Sequence, residues 1–197
     1  MTVRLNEVVS RRKHLLLAVV AVTAAVALAA CGDDEGSGTS GTALQSAAAS
    51  KGTPPKLAAL QEEQNELLPG GTEAFDARLR ELEGHPVVVN KWASWCGPGR
   101  AEFPYFQSQA AKRGDEVAFL GVNSNDGEDS AAEFLTEFPV PYPSYLDPDL
   151  KIADGIEGAL AFPATAFYDR RGELVYVRNG PYENADELAA DIERYAR

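Results

Sequence analysis

Cysteine is scarce in this sequence: Cys31 and Cys96 are the only two in 197 residues. That excludes a small domain stapled together by disulfides. Histidine is just as scarce, with His14 and His85 alone, and no His/Cys cluster has the spacing of metal ligands. A built-in zinc or copper site is not expected, nor any other cofactor. Positive charge is also short, the formal net charge being −12. Residues 1 to 30 hold Arg4, Arg11, Arg12 and Lys13 against Glu7, a net +3 that leaves −15 on the rest. A body so acidic is repelled by phosphate backbones and by anionic lipid heads, so nucleic acid is excluded as a partner. No internal repeat is visible. What remains is the composition of an ordinary globular protein, 45% hydrophobic and 24% charged.

The N-terminus reads as an address. Arg11, Arg12 and Lys13 precede an apolar run from Leu15 to Ala30 that is 16 residues long and interrupted only by Thr23. A spanning helix needs roughly 20 such residues. A basic head, an apolar middle and a small-residue end describe a secretory signal. The run closes on Leu28-Ala29-Ala30-Cys31, which resembles the lipobox of bacterial lipoproteins. That resemblance implies cleavage before Cys31 and lipid on its sulfur. More than one acyl chain would make the anchor stable. Residues 32 to 55 are rich in Gly, Ser, Thr and Ala, with Leu44 as the one large apolar residue. They read as a tether with a mean reach of about 25–30 Å. The organisation expected is a signal over 1–30, a lipidated cysteine and tether over 31–55, a lead-in segment over 56–71 and a folded domain over 72–197. The domain then sits on the outer face of the cytoplasmic membrane, and Cys96 is its one free thiol.

Helical spacing predicts a helix over Leu57 to Leu68, broken by Pro69-Gly70-Gly71. Thr72 reads as the N-cap of the next helix, whose inward face carries Phe75, Leu79 and Leu82 and which Gly84 ends. The β-branched run Pro86 to Trp92 predicts a buried strand, with Trp92 in the core. A helix is predicted over Gly97 to Ala111, with Pro98 in its first turn, and a strand over Glu116 to Asn123. Ser130 and Glu133 have the spacing of a capping box before Ala131, Phe134, Leu135 and Phe138. Pro141 and Pro143 predict an extended passage towards Tyr145 and Leu146. A short helix over Leu150 to Ile156, a hairpin pairing Ala164–Asp169 with Glu173–Arg178, and a last helix capped by Asn184 follow. The order α-β-α-β-α-(α)-β-β-α predicts an α/β domain with a mixed sheet.

The stretch that carries chemistry is Trp92-Ala93-Ser94-Trp95-Cys96-Gly97-Pro98-Gly99-Arg100. With Val88-Val89-Asn90 before it and Glu102-Phe103-Pro104 after it, this stretch resembles the active site of thioredoxin-like proteins, in the TlpA-like branch of membrane-anchored thiol–disulfide oxidoreductases. A second stretch, Phe162-Pro163-Ala164-Thr165-Ala166-Phe167-Tyr168-Asp169 with Gly172-Glu173-Leu174-Val175, resembles the proline loop and hairpin of the same family. The resemblance covers about residues 72 to 197. It implies a thioredoxin-like fold with helices on both faces of the sheet. It also implies a nucleophilic Cys96 at a helix N-terminus, a cis Pro163 facing it, and a substrate groove at Trp95, Gly97, Pro98 and Phe162. Glu102 is implied as a proton-relay carboxylate, with a solvated glutamate as the plain alternative. Arg100 reads as a solvated neighbour of the thiol.

Two positions depart from the family pattern. Gly99 stands where the second, resolving cysteine belongs, and Asn90 stands where thioredoxins carry a buried acid. A helix N-terminus favours a thiolate, and the thiolate is the nucleophile. Cys96 can therefore form a mixed disulfide, but it needs an external thiol or redox partner for release. Clients implied by the family are cysteine-containing secreted proteins such as apo-cytochrome c. The competing reading is a redox-inactive module that holds extended polypeptides at Trp95 and Pro163. Two other patterns fail: Val122 cannot serve as the first ligand of a calcium loop over Asn123 to Glu133, and no peroxiredoxin signature surrounds Cys96.

Overall fold

The computed structural model describes residues 52–156 and 161–197. The signal segment, Cys31 and all but the end of the tether lie outside the described residues. Among those described, no helix is long and apolar enough to cross a membrane.

The elements are α1 (Pro55–Glu62), β1 (Leu67–Leu68), α2 (Gly71–Glu81), β2 (Val87–Trp92), α3 (Gly97–Arg113), β3 (Ala118–Ser124), α4 (Glu128–Glu137), β4 (Ser144–Asp147), α5 (Lys151–Gly155), β5 (Ala164–Tyr168), β6 (Leu174–Asn179) and α6 (Ala185–Tyr195). One six-stranded sheet has the order β1-β4-β3-β2-β5-β6. The four strands on one side pair in parallel, and β5 and β6 pair antiparallel. This is the thioredoxin-like α/β fold with a mixed sheet.

Side chains alternate across a strand, so β2 supplies two faces. Val88 and Trp92 join Phe103 and Phe106 of α3, Phe134 of α4 and Leu188 and Ile192 of α6 in one core. Val87 and Val89 join Leu57 and Leu60 of α1, Phe75 of α2 and Ile152 of α5 in the other. All six residues of β2 and all seven of β3 are buried. That is why both strands read as near-continuous apolar runs. Each fully buried Val or Phe contributes about 1.5–3 kcal/mol.

Three local expectations are corrected. The helix expected over Leu57 to Leu68 stops at Glu62, and Leu67–Leu68 form an edge strand instead. The turn is made by Asn65, at φ 63°, whose Oδ1 accepts from Val140 N and whose own N–H reaches Tyr142 O. Backbone groups along β4 then recruit Leu67 and Leu68. Thr72 is not the cap of α2. Gly70 and Gly71 adopt φ of 106° and 57°, so the chain turns early and Gly70 holds the cap position. Ser130 and Glu133 form no capping box, because α4 starts earlier, at Glu128 after Gly127. Asp126 lies just before that start, its Oδ1 accepting from Gly127 N, and no side chain caps the helix. The extended passage after Pro143 is a full strand, β4, with Ser144 opposite Gly121. Asn184 does cap α6, its Oδ1 accepting from Asp186 N and Glu187 N.

Candidate functional site

Cys96 occupies the N-cap of α3, with extended backbone at φ −82° and ψ 100°, and its side chain is buried. Its N–H donates to Ala93 O, and its carbonyl accepts from Arg100 N at 2.9 Å. Pro98 fills the first turn, where a missing N–H removes no helical hydrogen bond. The side of the turn that faces solvent is Gly97 and Pro98, both exposed.

Gly99 lies under the sulfur. A Cβ built on it would stand 3.4 Å from Cys96 Sγ and 3.6 Å from Pro163 Cβ. Pro163 therefore comes to the Cys96 turn across the sheet, at the entry to β5, and the Phe162–Pro163 peptide bond is cis. The β2–β5 pairing places it there: Lys91 is opposite Ala164, and Asn90 opposite Thr165.

Trp95 is the most exposed large apolar side chain here, at 55%. Its ring lies 4.9 Å from that of Phe162, and its Nε1 donates to Asn125 O at 2.9 Å. Trp92 is core, donating to Ser144 Oγ and packing on Phe103 and Phe134. Arg100 is less free than a solvated side chain. Its guanidinium lies over the rings of Phe134 and Phe138 at 4.8 and 5.0 Å and pairs with Glu137 at 3.3 Å.

Glu102 is not a solvated helix-face glutamate: it is 1% exposed. Its Oε2 accepts from Tyr182 N at 2.9 Å, while Oε1 has no direct protein partner. Burial pushes its pKa up from 4.5 to about 7, against the opposing pull of the Tyr182 N–H and Arg178. Around it, Asn90, Tyr142 and Thr165 bury polar atoms that make no direct hydrogen bond of good geometry. Even so, Asn90 stands near enough to the Tyr142 hydroxyl, and Thr165 to that of Tyr182, to favour their ionised forms, although burial dominates and raises both phenols.

Two contributors escaped the sequence reading. Asp126 ties down the segment before Cys96, its Oδ2 accepting from Ser94 N at 2.6 Å and from Asn123 Nδ2, its Oδ1 from Ser94 Oγ. Lys91 is 2% exposed and donates to Ala161 O. The Asp126 contact spans 32 positions, and a lysine inside a strand gives no sign of facing inward, so neither had a local signal. Among the described residues, no group of three or more His, Cys, Asp or Glu is placed to hold a metal ion.

The family model described as Redoxin matches residues 68–192, more than half of the chain. The thiol:disulfide interchange protein HelX of Rhodobacter capsulatus is 36% identical over 132 residues, covering 65% of this chain and 71% of HelX. The thiol-disulfide oxidoreductase ResA of Halalkalibacterium halodurans is 29% identical over 109 residues. That match covers 55% of this chain and 61% of ResA, less than two thirds of its length. Among solved structures, MTB dsbF in mixed oxidised and reduced forms superimposes with a TM-score of 0.54 at 31% identity, covering 58% of this chain and 84% of that one.

Proposed function

Because this chain belongs to the Redoxin family, we propose that it is a thiol–disulfide exchange protein that works through one sulfur, that of Cys96. The observation that carries this reading is the place of Gly99: the position that would hold a resolving sulfur adjoins Cys96 Sγ and has no side chain. The relatives' printed names, oxidoreductase and interchange protein, support the reaction class.

In the first step the Cys96 thiolate attacks a client disulfide. A bond forms between Cys96 Sγ and one client sulfur, the client's S–S bond breaks, and the other client sulfur leaves as a thiolate and takes a proton. In the second step an external thiolate, small or on the client, attacks the client sulfur of the mixed disulfide; a new S–S bond forms between those two sulfurs, the bond to Cys96 breaks, and Cys96 leaves as a thiolate that can take up a proton. The protein keeps no electrons, so the net reaction is exchange or isomerisation. Glu102, with a pKa near 7, holds a proton that can be given or taken at neutral pH. Clients are cysteine-containing secreted proteins, and the domain is held outside the cytoplasmic membrane by lipid on Cys31. Exposed Trp95, packed on half-buried Phe162, favours an extended client strand beside Pro163.

The test is capture. The protein is mixed with a peptide disulfide and the adduct on Cys96 is read by intact mass, with Cys96→Ser as control. An adduct that a small thiol discharges is expected. Equal peptide binding by both proteins with no adduct would instead identify a holding module without redox chemistry.

A further inference from the structure

The Cys96 turn and the Phe162–Pro163 segment come from elements far apart in the chain, and something must hold the second against the first. Lys91 leaves the β2 face that carries Val87 and Val89, and its stem is buried. Its Nζ donates to Ala161 O at 2.9 Å and stands 3.8 Å from the centre of the Phe162 ring. That ring packs in turn against Trp95, centroid to centroid at 4.9 Å and tilted by 47°. Ammonium, phenyl ring and indole thus form a continuous ladder from β2 to the surface beside Cys96. A desolvated ammonium favours a carbonyl oxygen and the negative face of an aromatic ring.

From this ladder we infer that Lys91 is a positioning residue, whose buried ammonium holds the Ala161–Pro163 segment in place for an extended peptide to lie against Cys96. The inference rests on the exchange reading above, but only for what the segment receives. Acidic groups facing Lys91 are Asp147 from β4 and Asp154 from α5, and the Cys96 thiol also acts on it. Burial lowers the Lys91 pKa and these three groups oppose that shift. Asp147 is itself held by Ser124 Oγ, Ile152 N and Ala153 N. It sets the local field without displacing the ammonium from Ala161 O. A methionine has nearly the length of lysine and suits an apolar site, so Lys91→Met removes the charge and the donor while conserving bulk. Arginine retains the charge and can still donate.

Two measurements decide the matter on the full chain. The first is the rate at which Cys96 attacks a peptide disulfide, compared with its rate on a small aromatic disulfide reagent. Lys91→Met should slow the peptide reaction about tenfold, the scale of one charge-assisted hydrogen bond, and leave the small reagent within a factor of about two. Lys91→Arg should recover the peptide rate. The second is acrylamide quenching of Trp95 fluorescence, which needs no client; Lys91→Met should raise it and Lys91→Arg should not. Wild-type quenching in Lys91→Met, or equal slowing of both disulfides, would overturn the inference. A wild-type protein that attacks no peptide disulfide would sink the exchange reading alone, and the quenching result would still decide the role of Lys91.

Discussion

The missing Cβ of Gly99 would stand 3.6 Å from Cys96 Cβ and 3.4 Å from its sulfur. Disulfides bridge Cβ atoms about 3.8 Å apart. The backbone is therefore already set for a bond that the sequence does not supply. Gly99→Cys should form that bond without moving the helix. On oxidation, the tryptic peptide spanning residues 92 to 100 should lose the mass of one hydrogen pair. Turnover of a disulfide substrate should rise roughly tenfold or more, since the resolving thiol becomes intramolecular. Two free thiols on that peptide after oxidation would show that the turn is not held as described.

Glu102 makes stability fall with pH. Its folded-state pKa is about 7 and its ordinary value 4.5, so the folded state keeps a proton that the unfolded chain releases. The contribution is intact below pH 4.5, declines as pH rises, and is lost once pH passes 7. The span is worth about 3 kcal/mol as an order of magnitude. Glu102→Gln keeps an acceptor for Tyr182 N–H and cannot ionise. Its urea midpoint relative to wild type should rise between pH 4 and pH 8 by ~2–3 kcal/mol of equivalent stability. Parallel pH curves for the two proteins would contradict this.

Gly121 marks a close approach between strands. A Cβ there would stand 2.0 Å from Ser144 Oγ, the acceptor of Trp92 Nε1. Gly121→Ala should cost about 1–3 kcal/mol as an overpacked site. Gly121→Ala combined with Ser144→Gly should recover part of that loss in thermal unfolding. No loss in the single variant would mean that the β3–β4 spacing is looser.

Asp126 gathers donors from both Ser94 and Asn123. Asp126→Ala should cost about 2 kcal/mol, the scale of hydrogen bonds to a charged group, and should shift Trp95 emission because Asn125 O holds its indole. Unchanged emission would show that the loop keeps its shape without the carboxylate.

The central strands and the cysteine helix were legible because their signals are local. Val87 to Trp92 is a β-branched run, and Pro98 sits where helices begin. Leu67–Leu68 give no strand signal because two residues carry no period, and only the edge of β4 makes them a strand. Ser130 and Glu133 have the capping spacing, but α4 starts sooner, at Glu128 after Gly127, with no side-chain cap. Cys96, Gly99 and Pro163 could be named from motif alone. Lys91 and Asp126 could not, since what they do depends on partners 70 and 32 positions away.

The antiparallel partner of β2 is β5, and the register joins Val87 to Tyr168. A ribosome delivers Cys96 before Pro163, so while the residues between them are made the chain carries the thiol without the loop that will face it. Non-local pairing of this kind is slow and leaves unfinished strand edges open. With no second sulfur in the turn, the waiting thiol cannot close on its neighbour ahead of time. The nascent domain thus reaches its sheet with no disulfide inside the turn.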